Sequence, residues 1–126
     1  GSIVIVIATD APLSDRQLGR IARRAQGGLA RVGSVFSNGS GDFAIAFTTD
    51  GRVPHSSQGM IEERRLGDDS REMAGLFRAT VEAVEEAVLN ALFAAETLIG
   101  RDGNSREGLP LEEVRSILAS RGVLNE

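Results

Sequence analysis

Six apolar residues, Ile3-Val4-Ile5-Val6-Ile7-Ala8, follow directly on Gly1-Ser2 with no polar residue among them. A strand with one face in water alternates polar and apolar side chains. This run does not, so it is expected to be a strand covered on both faces. Such a strand seldom lies at a chain terminus, where the backbone frays. The chain is therefore expected to arise by a cut inside a larger folded protein, with a hydroxyl residue left beside a free α-amine. The run is too short to span a membrane, and no basic stretch precedes it as in a secretory signal.

Those two groups can form a nucleophile and its base. A serine hydroxyl attacks poorly until a base takes its proton, and an α-amine titrating near pH 7.7–8.0 can serve. On these two residues alone, a Gly-Ser scar of tag removal explains the start equally well. The rest of the composition narrows the chemistry. The chain has no cysteine, which excludes thiol nucleophiles, disulfides and thiolate metal sites. His55 is the single histidine, so a zinc site would need carboxylates for its other ligands. Neither a metal nor a cofactor is expected. A formal net charge of −4 argues against a nucleic-acid partner. A solvated helix face explains Arg20, Arg23, Arg24 and Arg31 at least as well as a basic patch for such a partner. No membrane partner is expected, and the compartment stays open between cytoplasm and periplasm for a soluble chain.

At 126 residues the chain is about one domain. After the first strand, Asp10-Ala11-Pro12 breaks the pattern. Ser14 and Gln17 have the spacing of a capping box, with Leu13 and Leu18 placed as a hydrophobic staple across it. Leu18, Ile21, Ala22, Ala25, Leu29 and Val32 then recur at helical spacing, and Gly33 is the expected stop. Ser34 to Asp42 forms a small-residue turn, and Phe43 to Thr48 a second strand. Residues 52–67 lack periodicity, and a partial strand is expected over Gln58 to Leu66. A long helix capped by Asp69 or Ser70 is expected to run to about Ile99, ending at Gly100. It shows an apolar face (Met73, Phe77, Val81, Val84, Val88, Leu92, Ala95, Ile99) and a small-residue face (Ala83, Ala87, Ala91, Ala94). Pro110 opens a last helix that Gly122 closes. Two visible strands cannot cover these apolar faces, so residues 1–126 read as a single-domain fragment of a larger fold.

Ser2 is one candidate for chemistry. The turn Asn38-Gly39-Ser40-Gly41-Asp42 offers another hydroxyl and a carboxylate, and its glycines allow close backbone approach. If the turn packs against the start of the first strand, Ser40 could hydrogen-bond the Ser2 amine or hydroxyl and Asp42 could orient that group. As an isolated motif it is also consistent with a purely structural turn. His55, Glu62-Glu63, Glu85-Glu86 and Arg101-Asp102-Gly103 are better read as solvated or structural.

Taken in order, several segments resemble one family. They are Ser2 to Leu13, Gln17-Leu18, Arg23-Arg24, Gly28-Leu29-Ala30-Arg31, Gly33-Ser34, Ser37 to Asp42, Glu85 to Leu92 and Ala95 to Gly103. Together they are similar to the β chain of the DmpA-like serine peptidases, the L-aminopeptidase/D-esterase and β-aminopeptidase enzymes. The resemblance implies an α/β fold, a four-layer αββα sandwich to which this chain contributes one part. It implies a precursor that cuts itself between Gly1 and Ser2, giving an αβ heterodimer that assembles into a homo-oligomer. Ser2 would be the nucleophile for self-cleavage and for release of N-terminal amino acids from short peptides, amides or esters. By the same resemblance Ser40 and Asp42 would assist it, although some relatives place glutamate at the position of Asp42. Gly1, still attached, would acylate the Ser2 amine. Two alternatives remain: an acyltransferase of the ornithine acetyltransferase type, whose new terminus is threonine rather than serine, and a non-enzymatic assembly module.

Overall fold

A computed structural model describes residues 1–52, 54–56 and 59–124. The chain divides into two units, Gly1–Glu86 and the segment from Ala87 onward. In the first, strand β1 (Val4–Thr9) leads through helix α1 (Asp15–Arg31) into strand β2 (Phe43–Thr48). The strands are parallel, with Val4 opposite Phe43 and Thr9 opposite Thr48. Helix α2 (Arg71–Ala94) begins in this unit.

Local sequence fixes the ends of α1. The Ser14 side chain accepts from the Gln17 amide while the Gln17 side chain accepts from the Ser14 amide, a complete capping box. At the other end Gly33 takes a φ of +92°, donating to the Ala30 carbonyl while Ser34 donates to that of Leu29. This pair of bonds is a Schellman motif, and it requires the left-handed backbone that glycine adopts without strain. The Ser70 hydroxyl caps α2 by accepting from the Met73 amide at 3.1 Å.

The core lies on one side of the sheet. Leu13, Ile21 and the fully buried Met73 pack with Ile7, Leu18, Ala46 and Phe77. Gln17 is 3% exposed, and its amide donates to the Leu66 carbonyl at 2.8 Å and to Asp68 at 3.0 Å. Asp68 also pairs with Arg16 and Arg20. The Gln17 hydrogen bond, then that from Arg16, holds its carboxyl below the usual range. The Arg24 guanidinium lies over the Phe77 ring, 3.4 Å from its centroid.

Helices α1 and α2 cross where α1 has no side chains. A Cβ on Gly28 would lie 2.6 Å from the Val84 Cβ and 2.7 Å from the Val81 carbonyl oxygen. Gly28→Ala is therefore expected to destabilise the full protein by about 1–3 kcal/mol through overpacking, despite alanine's better helix propensity. Gly19, in the same helix, has nothing within 4 Å of its Cβ position. Gly19→Ala is expected to stabilise by up to about 1 kcal/mol. Denaturant unfolding of both variants beside wild type checks the pair.

Three features differ from the expectations from sequence. Only one face of β1 and β2 is partly buried within this chain: Ile5, Ile7, Thr9, Ala44, Ala46 and Thr48 point inward, whereas Val4, Val6, Phe43, Ile45 and Phe47 are exposed. Residues 59–66 form no strand, and Gln58, the proposed start of one, lies outside the described residues. Helix α2 ends at Ala94 rather than near Ile99. In the second unit Leu98–Ile99 instead forms strand β3, paired antiparallel with β4 (Ser105–Arg106) around a tight turn at Arg101–Gly103. Gly108 closes on this segment: its amide donates to the Thr97 hydroxyl at 3.1 Å, and a Cβ there would meet the Ala95 carbonyl oxygen at 2.7 Å. Helix α3 (Leu111–Ser120) follows Pro110, and Gly122 ends it with a φ of +68°. The alanine face of α2 at Ala83, Ala87, Ala91 and Ala94 is exposed.

Candidate active site

Side chains alternate between the faces of a strand. Ser2, two residues before Val4, therefore shares the exposed apolar face, and the Phe43 amide donating to the Ile3 carbonyl at 2.9 Å extends the pairing toward it. The turn before β2 reaches the same place. The Ser40 amide donates to the Ser37 carbonyl at 2.8 Å, which folds the turn back on itself. Gly41 then presents its amide to the Ser2 hydroxyl, with N to Oγ 2.9 Å.

The Ser40 hydroxyl hydrogen-bonds groups other than the Ser2 side chain. It lies 2.9 Å from the Gly1 carbonyl oxygen and 2.8 Å from Asp42 Oδ1. A hydroxyl carries one proton, so these two acceptors compete for it. Gly1 is joined to Ser2 here, and its carbonyl is the group next to the Ser2 nitrogen. Around one peptide bond the chain thus assembles a hydroxyl held by a backbone amide and a carbonyl held by a second hydroxyl. A hydroxyl attack on a carbonyl calls for a positioned nucleophile and a donor where charge would develop, and these two hydrogen bonds hold groups suited to each part. Asp42, with Arg23 and Gln26 of α1, lines a groove of about 190 Å³ on the inner side.

The other candidates lie apart from this cluster. His55 is exposed in the loop after β2. Glu63 pairs with Arg65 and Glu85 with Arg31, the latter at 2.9 Å. Arg101 and Asp102 pair at 3.2 Å within their own turn, where Asp102 takes a φ of +59°. Among the described residues no three His, Asp or Glu side chains gather as metal ligands, and no helix is long and apolar enough to cross a membrane. A larger cleft of about 460 Å³, lined by Ser14, Thr48, Asp50 and Arg64, sits at the carboxyl ends of the strands. The six residues of β2 separate it from Ser2 by roughly 15–20 Å. The contact that sequence reasoning missed is the Gly41 amide. A backbone group leaves no residue signature beyond a glycine between two candidate side chains.

Peptidase family S58 matches residues 1–106. The β-peptidyl aminopeptidase BapA of Sphingosinicella microcystinivorans is 42% identical over 119 residues, covering 94% of this chain and 30% of that protein. Among solved structures, the PH0078 protein of Pyrococcus horikoshii OT3 superposes with a TM-score of 0.89 at 50% identity, over 97% of this chain and 34% of that one. The L-aminopeptidase D-Ala-esterase/amidase of Ochrobactrum anthropi, described as a variant of the Ntn hydrolase fold, gives 0.85 at 36% identity, over 98% of this chain and 35% of its own. The chain spans about a third of the length of these relatives. Its mixed α/β architecture is the one they share over that third. Matched through the strand that follows Ser2, the turn that carries Ser40 and the hairpin near the end of the match, the chain belongs to peptidase family S58.

Proposed function

We propose that this chain is the β part of a self-processing serine aminopeptidase whose nucleophile is Ser2. The observation that carries the reading is the pairing of Gly41 amide with Ser2 hydroxyl and of Ser40 hydroxyl with Gly1 carbonyl, at 2.9 Å each. In self-cleavage the Ser2 Oγ attacks the Gly1 carbonyl carbon, the Oγ proton passes to the departing Ser2 nitrogen, and the Gly1–Ser2 amide becomes an ester. Water then hydrolyses the ester, freeing the Gly1 carboxylate and the Ser2 α-amine. Ser40 donates to the carbonyl oxygen as negative charge develops there, while Asp42 holds the Ser40 hydroxyl in place.

The freed amine serves as the base in the second reaction. It takes the Oγ proton while Oγ attacks the first carbonyl of a peptide, amide or ester. The leaving group departs with that proton, and water releases the acyl residue as a free amino acid. The names of the BapA and Ochrobactrum relatives favour an aminopeptidase over the acyltransferase, as does serine rather than threonine at this position.

Beyond Val4 and Phe43, which flank Ser2, the exposed strip of Val6, Ile45 and Phe47 gives this fragment a partner requirement. A sheet carrying such a face in water is a liability. In the proposed enzyme the α chain of the same precursor lays a second sheet over it, completing a four-layer αββα sandwich. Residues 1–126 are then the β subunit of an αβ unit that assembles into a homo-oligomer.

The purified full-length protein, offered amino-acid p-nitroanilides in one assay and acetyl transfer to glutamate in another, separates the readings. Release of p-nitroaniline without acetyl transfer is the expected result. Acetyl transfer alone contradicts the peptidase reading, and neither activity supports the assembly module.

A further inference from the structure

The face that carries Ser2 also carries Phe43, which is 65% exposed and whose backbone sits opposite Val4, two residues from the hydroxyl. Gly41 stands between them. A Cβ built on Gly41 would lie 3.5 Å from Ser2 Oγ and 3.6 Å from Phe43 Cε2, with no other neighbour within 4 Å. Its φ is outside the left-handed region, so the backbone there does not demand a glycine. Nor does packing demand it, because both distances are ordinary van der Waals contacts. The missing side chain does one thing: it leaves open the space between the nucleophile and the aromatic ring.

We propose that Gly41 and Phe43 set the size and polarity of the residue whose carbonyl Ser2 attacks, Gly41 by leaving room for its side chain and Phe43 by packing against it. The proposal rests on the peptidase activity above. For attack, the substrate carbonyl carbon must come to about 3–3.5 Å from Oγ. The reacting residue's Cα is one bond beyond that carbon, and because Ser2 Oγ and Phe43 Cε2 both border the open Gly41 Cβ position, a side chain that follows toward Gly41 meets the Phe43 ring. Neither Phe43 nor its opposite neighbour Val4 carries a polar side-chain atom, so this wall favours a hydrocarbon side chain over a charged one. The matching consequence for the leaving group is none.

The test uses the full-length protein and p-nitroanilides of glycine, alanine and leucine, and of the corresponding β-amino acids, with leucinamide beside leucine p-nitroanilide to vary the leaving group. Phe43→Ala is expected to lower the kcat/KM ratio of leucine to glycine about tenfold or more, the scale on which hydrophobic pockets discriminate, with Phe43→Leu in between. Gly41→Ala, which keeps the backbone amide, is expected to cut leucine substrates about tenfold more than glycine substrates. Processing into two chains and an unchanged Tm report that each variant is folded; Phe43→Leu supplies the test should the alanine variants fail it. Equal losses across all acyl residues, or a selectivity change that follows the leaving group, overturns the proposal. A wild type that hydrolyses none of these substrates overturns the peptidase reading, and the proposal falls with it.

Discussion

Ser2→Ala in the full-length precursor is expected to leave one uncut chain and to lower kcat for amide hydrolysis by about 10⁶-fold, the scale seen when a serine nucleophile is removed. The size of the effect follows from the double use of one oxygen. The same Oγ would open the Gly1–Ser2 bond and later attack substrate, so its loss removes the second reaction both directly and through the first. The fold cost is small. Ser2 is exposed, and its hydroxyl accepts one hydrogen bond, from an exposed Gly41 amide that water can satisfy in its place. A variant with unchanged Tm and no processing therefore reports chemistry rather than collapse. Retained hydrolysis of p-nitroanilides by Ser2→Ala contradicts the nucleophile assignment, and normal processing contradicts the self-cleavage assignment.

Ser40→Ala is expected to slow self-cleavage by about 10²–10³-fold, the loss typical when one donor to a developing oxyanion is deleted. The Ser40 hydroxyl is 2.9 Å from the Gly1 carbonyl oxygen, the atom that becomes negative when Ser2 attacks. Asp42 Oδ1, at 2.8 Å, competes for the same proton in the resting state. As charge builds on the Gly1 oxygen it becomes the stronger acceptor, so the hydroxyl contributes more in the transition state than before it, which is the condition for accelerating a step. Ser40→Thr keeps the hydroxyl and is expected to process within about tenfold of wild type, since a positioned donor rather than the residue itself sets the rate. Time courses of processing, followed by gel after dilution from denaturant, measure both. Equal rates for Ser40→Ala and wild type would remove Ser40 from the mechanism.

Elements written in short-range signals were legible in the sequence. The capping box at Ser14 and Gln17 and the glycine at Gly33 bound α1 to within a residue, and Phe43 to Thr48 is the observed β2. The end of α2 was not legible, because the helical period runs on through Ala95 to Ile99 in the sequence. The chain leaves the helix at Ala94 for non-local reasons: Leu98 and Ile99 pair with Arg106 and Ser105, and the Gly108 backbone closes against residues 95–97. Likewise, Gly27 and Gly28 weaken a helix by propensity alone, and only the crossing with Val81 and Val84 explains them. At the candidate site the residue types Ser2, Ser40 and Asp42 stood out. Their pairing differs from the expected one because the contact to the Ser2 hydroxyl comes from the peptide backbone at Gly41. The apolar run at residues 3–8 called for cover on two faces, and this chain supplies one of them.

The central claim is that the bond between Gly1 and Ser2 is cut by the protein itself. Intact-mass and N-terminal sequencing of every chain in the untagged, purified full-length protein tests it most directly. The account predicts two chains in equal amounts, the one carrying these residues starting at Ser2 with a free amine and the other ending at Gly1. A single uncut chain, or a cut at any other bond, would contradict it.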